Sequence, residues 1–221
     1  MTKGLVLAAS AVVGLGLLGA AAPARADAIP YQNIGTPNPV TYSFTAKTTG
    51  DLIAYFAGST ATYDNQLGVL VNGVAQGGYG LDNHSSSVGE QYDFGLVTAG
   101  STLVFVLHNL TLGNNAYSDP SLNVAYDLNG SDGHNHLYST AYTATSPVLN
   151  GIPAGTFFAF EDLPFPYSDF NYNDEDFVFL DVATKITSDA GFAADPIPEP
   201  AALVLFGAGL AGLRLVRRRR A

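Results

Sequence analysis

Between residues 27 and 197 the chain shows no long run of apolar residues at helical spacing. Instead it has short stretches of Val, Phe, Tyr, Thr and Leu, punctuated by Gly, Asn, Asp and Pro. Such a pattern leaves strands as the building unit and predicts an all-β sandwich or barrel. Strands are expected at 40–46, 51–57, 66–71, 91–96, 102–109, 121–126, 136–142, 156–161 and 177–184. In 41–46, Tyr42 and Phe44 alternate with Thr41, Ser43 and Thr45, so one face is buried and the other wet. "TLVFVL" and "FVFLDV" are apolar on both faces and read as central strands. Asn72-Gly73, between "LGVLV" and "VAQGGY", marks a hairpin. No internal repeat is visible.

The ends have a different character. Lys3, an apolar run from Gly4 to Ala22 and the small-x-small site Ala24-Arg25-Ala26 have the layout of a secretory signal peptide, cut after Ala26 by signal peptidase. At the other end, Pro198-Glu199-Pro200 precedes an apolar stretch, 201–216, and then Arg217, Arg218, Arg219 and Arg220. Sixteen helical residues would span roughly 24 Å, a little short of a ~30 Å hydrocarbon core. The arginines would stay on the cytoplasmic side of the inner membrane. This tail resembles the PEP-CTERM sorting signal. The resemblance implies processing near Pro198-Glu199-Pro200 by an exosortase-type sorting enzyme, in a Gram-negative bacterium that makes exopolysaccharide.

Once both ends are set aside, the charge balance changes. Of nine Lys and Arg only Lys47 and Lys185 lie in the body, whereas of nineteen Asp and Glu only Glu199 lies outside it. Two cations against eighteen acids give the body −16, where the whole chain carries −10. A body this acidic, with no Arg, is unsuited to nucleic acid and well suited to solubility and divalent cations. There is no Cys, so neither a disulfide nor a thiol nucleophile is available.

The acids are also clustered. In "FPYSDFNYNDEDFVFLDV" (165–182), Asp169, Asp174, Glu175 and Asp176 stand among Asn171 and Asn173. The D-x-N-x-N start matches an EF-hand loop, but Asp174 stands where Gly is required and Leu180 where the closing Glu belongs, so this is not an EF-hand. The spacing still sets oxygen-bearing side chains at alternate positions, as a hard cation requires. Without one, two like charges about 5 Å apart cost roughly 1 kcal/mol in water-like surroundings, and more if buried. Glu161-Asp162, at the end of the preceding strand, are placed to complete the set. Residues 155–182, "GTFFAFEDLPFPYSDFNYNDEDFVFLDV", resemble the end of the domain of unknown function 4114 family, whose members are treated as extracellular and calcium-linked. That resemblance implies calcium at Glu161, Asp162, Asp169, Asn171, Asn173 and Asp174.

Other chemistry is less well supplied. Asp127, Asn129, Asp132, His134 and His136 could form a second calcium loop or, through His134 and His136, hold zinc. No third zinc ligand is identifiable, and a turn packed against the Asp169 loop is the expectation. There is no G-x-S-x-G elbow. Glu90, Glu161 and Glu175 leave room for a paired-carboxylate glycosidase, yet the chain has no Trp for a sugar platform.

The sequence therefore predicts five segments: a signal peptide (1–26), a linker (27–39), an antiparallel, jelly-roll-like β-sandwich (40–185), a linker (186–197) and a sorting tail with a transmembrane helix (198–221). The expected function is a non-enzymatic, calcium-binding protein of the cell surface or extracellular matrix. It would be structural, adhesive or carbohydrate-binding in biofilm exopolysaccharide, held to the membrane by its tail before processing. A secreted polysaccharide-active hydrolase is the alternative, and no catalytic residue is named.

Overall fold

The computed structural model describes residues 29–128, 133–145, 149 and 151–189. The predicted signal peptide, most of the second linker and the sorting tail lie outside the described residues. Among the described residues no helix is long and apolar enough to cross a membrane. The described chain is all-β, in two antiparallel sheets. Its strands are β1 (Val40–Ala46), β2 (Gly50–Gly58), β3 (Asn65–Val71), β4 (Val74–Gly80), β5 (Gln91–Val97), β6 (Thr102–Asn109), β7 (Asn114–Tyr117), β8 (Leu137–Tyr142), β9 (Gly155–Phe160), β10 (Glu175–Phe179) and β11 (Val182–Asp189). One sheet runs β11-β1-β6-β3-β4, with β7 added to β6, and the other runs β5-β2-β10-β9-β8.

The inward residues of both sheets form one aromatic core. Phe44 and Phe105 from one sheet meet Phe158 and Phe179 from the other, with ring centroids 4.4–5.3 Å apart. This is the layering of a β-sandwich, in which strand periodicity sends alternate side chains to the shared interior. β6 and β10 are interior strands of their sheets, as their two-sided apolar sequences predict. The second face of β10 is covered for a specific reason. Tyr31, Tyr142, Leu149, Ile152 and Tyr172 pack over Phe157, Ala159 and Val178 on the outside of the β9–β10 sheet.

Several expectations need correction. Residues 121–126 are not a strand. Asp119 caps a 3-10 helix, Pro120–Ala125, its Oδ1 accepting from the Ser121 N–H at 3.0 Å and hydroxyl at 2.7 Å, and Pro120 stands at the helix start. Residues 177–184 are not one strand either. The chain turns at Leu180-Asp181, where Asp181 takes φ 54°, so β10 and β11 belong to different sheets. Asn114 and Asn115 pair with Asn109 and His108 in β7, a strand that was not among those expected. The first linker is part of the fold where it is described, since Tyr31 and Asn38 are buried. β11 extends past the expected boundary at 185 to Asp189.

Candidate metal centre

The 161–174 segment leaves β9, doubles back over the outside of its own sheet and re-enters as β10. Its sequence alternates, and its contacts follow that alternation. Phe170 and Tyr172 pack inward on the outer apolar cluster, while Asp169, Asn171 and Asn173 fall between them. Both aromatic residues take left-handed backbone, φ 51° and 52°, which a non-glycine residue adopts only when its surroundings hold it there. Tyr172 does the holding. Its hydroxyl accepts from the Asn38 N–H at 2.8 Å and donates to the Asn135 carbonyl at 2.9 Å. Between the anchors, Asx turns set the spacing: the Asn171 N–H donates to Asp169 Oδ1 at 3.2 Å, and the Asn173 N–H to Asn171 Oδ1 at 3.1 Å.

Four of the six predicted ligands, Asp162, Asp169, Asn171 and Asp174, line one cavity of about 330 Å³, walled on the far side by Thr60–Tyr63. Glu161 lies beside it, buried, with Asp169 and Asp174 among its charge neighbours. Asn173 does not line the cavity. Its Oδ1 accepts from the Thr60 hydroxyl at 2.7 Å and its carbonyl from the Thr60 N–H at 3.0 Å, so it straps the loop to the end of β2. As they stand, the acids surround the space and do not close on a point. Among the described residues, no three His, Asp or Glu side chains are grouped to ligate one ion.

The electrostatics are those of acids crowded without a counter-charge. Burial pushes the Glu161 carboxyl up to about 7, and Asp169 adds to the rise. Neither of its carboxylate oxygens has a hydrogen-bond partner, and the Ser168 side chain and Tyr172 backbone oppose the rise without completing one. Burial raises Asp174 well above the carboxylate range, with Asp162, Glu161 and Asp169 all adding to it. Asp162 is raised by burial as well, although its Oδ2 accepts from Asn65 Nδ2 at 2.7 Å. Each acid here stays ionised more readily once a cation arrives. Oxygen donors of this type, carboxylate and amide, fit calcium by chemistry and by charge.

Sequence reasoning missed the Thr60–Tyr63 wall, whose one signal was a Ser/Thr run at the end of an apolar strand. It also missed how the Asp127 region is used. His134 Nδ1 and His136 Nε2 lie 3.2 and 2.8 Å from Asp127, and the Phe165 N–H donates to the same carboxylate at 2.9 Å. The His134 ring stacks on Phe165 with centroids 3.8 Å apart. The two imidazoles thus serve one carboxylate, and the turn packs on the acidic loop as expected. Asn129 and Asp132 lie outside the described residues. A larger groove, about 940 Å³, opens between the edge strands β8 and β11, away from the 161–174 acids and with Lys47 and Asp181 in its wall.

The class defined so far is an all-β domain with two antiparallel sheets and an acid-lined cavity at one end. Comparison with known families matches residues 196–220 to the PEP-CTERM protein-sorting motif. Pro198, Glu199, Pro200 and Arg217 to Arg220 all fall inside the match. The motif implies an exported protein, sorted to the cell envelope or surface by an exosortase-type enzyme. No curated protein and no solved structure matches the chain. The likeness of the body to the domain of unknown function 4114 family rests on its residues alone.

Proposed function

We propose that the body is a jelly-roll-like, calcium-binding module of the cell surface or extracellular matrix, structural or adhesive and non-enzymatic. Its tail would hold it in the inner membrane until processing near Pro198-Glu199-Pro200. The observation that carries the calcium reading is the single cavity shared by Asp162, Asp169, Asn171 and Asp174, with donorless Glu161 beside it. Calcium would draw in Asp169, which is exposed on the loop, and join the 161–174 segment to the end of β2. In a chain without disulfides, such a tie would add stability beyond that of the buried core.

The test is thermal denaturation in calcium and in chelator. Calcium is expected to raise the melting temperature, and Asp169→Ala with Asp174→Ala to abolish that gain. Identical melting in both conditions sinks the reading.

An adhesive role would use the groove between β8 and β11, where Tyr42, Lys47, Ser139, Thr140, Thr156 and Thr184 offer an aromatic edge, a cation and hydroxyls to a polysaccharide. Retention on exopolysaccharide beads, lost on Lys47→Ala, supports it; no retention in either condition removes it. The hydrolase alternative would need an accessible acid. Of the three acids that alternative rested on, Glu161 and Glu175 are buried and Glu90 is exposed.

A further inference from the structure

The interior of the sandwich, behind the acid-lined cavity, carries a second polar set. β10 sends Glu175, Phe177 and Phe179 to the same face by strand alternation, and both phenylalanines lie in the aromatic core. Glu175 therefore points inward. It is wholly buried, and neither of its carboxylate oxygens meets a donor. On the facing sheet, Asn65 opens β3 on the side shared by Leu67 and Val69 and is also wholly buried. Its Nδ2 donates to Asp162 Oδ2 at 2.7 Å and to the Tyr63 carbonyl at 3.3 Å. Two acceptors on that atom fix the amide orientation, so Oδ1 is the other atom, and it too has no donor. The charges nearest Glu175 are Asp82, Asp176, Asp162 and Asp174, all of its own sign.

Three acceptor oxygens thus sit inside one end of the sandwich with nothing to bond to. Buried polar groups in folded proteins are satisfied almost without exception; burial and the acids around it hold Glu175 well above the carboxylate range, and only a donor or a cation would let its ionised, acceptor-only form persist there. Asp82 is no donor either: it is a carboxylate, whose Oδ1 itself accepts from the His84 and Ser85 N–H groups. We propose that this interior end holds a second cation site, distinct from the cavity at the rim, in which the Glu175 carboxylate is the charged ligand and Asn65 Oδ1 a neutral one. The ion is a hard divalent cation of the calcium class, because every available donor is oxygen. Asp162, bonded to Asn65 and lining the outer cavity, stands between the two sites.

The experiment counts calcium ions per full-length chain in detergent by native mass spectrometry. Two ions in the parent, one in Glu175→Gln and one in Asp169→Ala/Asp174→Ala support the proposal. Two ions retained in Glu175→Gln overturn it. One ion in the parent, lost from the aspartate variant and kept in Glu175→Gln, overturns it while leaving the rim site standing; no ion at all overturns both. Should Glu175→Gln fail to fold, terbium luminescence lifetimes of the parent in H2O and D2O decide. A second, water-poor terbium population supports the buried site, and a single water-rich population overturns it.

Discussion

Asp127 and Glu161 are both carboxylates shut away from water, and the His136 ring lies between them, Nε2 toward Asp127 and Nδ1 donating to the Glu161 carbonyl at 3.1 Å. Their surroundings are opposite. Asp127 accepts from the His134 and Phe165 backbone N–H groups and meets both imidazoles. Burial alone would raise its pKa, but these partners, His136 foremost, outweigh burial and hold it well below the carboxylate range. Glu161 has no completed hydrogen bond and moves the other way. The same fold can therefore satisfy a buried carboxylate fully, and it does so where the carboxylate holds the structure together. Where Glu161, Asp162 and Asp174 gather, donors are few: Asp162 has the Asn65 amide, Asp174 the Asp162 N–H, and Glu161 none, as would suit a site that an ion completes.

Breaking the satisfied side should have the largest effect. Asp127→Ala strips the acceptor from His136 and two backbone N–H groups and is expected to cost about 3–5 kcal/mol. The loss should be equal in calcium and in chelator, as measured by denaturant unfolding. A loss that calcium reverses would mean that Asp127 belongs with the ion site. Next in size is Asp169→Ala with Asp174→Ala. With calcium at a hundredfold its dissociation constant, the parent gains about 2.7 kcal/mol. The variant should gain nothing, yet stay within about 1 kcal/mol of the parent in chelator, because lost repulsion offsets the lost bond to the Asp162 N–H.

The two carboxylates should also respond oppositely to pH. Glu161 is raised from 4.5 to about 7, so the folded state binds its proton more tightly than the unfolded chain does. The stability this provides is fully present below the unfolded value and is lost as pH rises through about 7. In chelator, stability should fall by about 1–3 kcal/mol between pH 5 and 8, and calcium should flatten that slope. For Asp127, whose folded pKa is depressed, stability is present above the unfolded value and lost as pH falls through the folded one. Its effect is confined to acid and leaves the neutral slope to Glu161 and the other raised acids, Asp162, Asp174 and Glu175. A chelated protein with no slope between pH 5 and 8 would remove the contrast.

Much of this was legible in the sequence. Alternation in "TYSFTA" and the two-sided apolar "TLVFVL" gave β1 and β6 with their bounds, since strand period and turn residues act locally. The Asp169–Asn173 alternation was legible for the same reason. What was not legible depends on contacts far apart in the chain. Nothing local distinguishes Asn173, taken by Thr60, from Asn171, which faces the cavity. Nor does "FVFLDV" reveal that its strand changes sheets at Asp181, because one Asp in an otherwise apolar run does not say which sheet the next residues join. Glu175 did leave a trace: it falls on the inward period of "EDFVF", one charge in phase with Phe177 and Phe179. Without the facing sheet, that phase has no interior to point into.

The smallest predicted effect tests the contrast most finely. Asn171 is half-exposed on the loop; its Nδ2 donates to Asp169 Oδ2 at 2.9 Å and its Oδ1 accepts from the Asn173 N–H. If these bonds only shape the turn, Asn171→Ala should lower stability slightly and equally in calcium and chelator. If the cavity holds an ion, the Asn171 oxygen is one of its donors, and the substitution should weaken calcium binding several-fold while changing the chelated stability by less than about 0.5 kcal/mol. Asn171→Asp supplies the control, because it keeps an oxygen at that position and adds a charge. It should bind calcium at least as well as the parent but melt lower in chelator, since a further unbalanced acid then faces Asp169. Calorimetric titration read beside melting curves separates the outcomes. Equal affinities in the parent, Asn171→Ala and Asn171→Asp would assign this residue to the turn alone and leave the ion to the carboxylates.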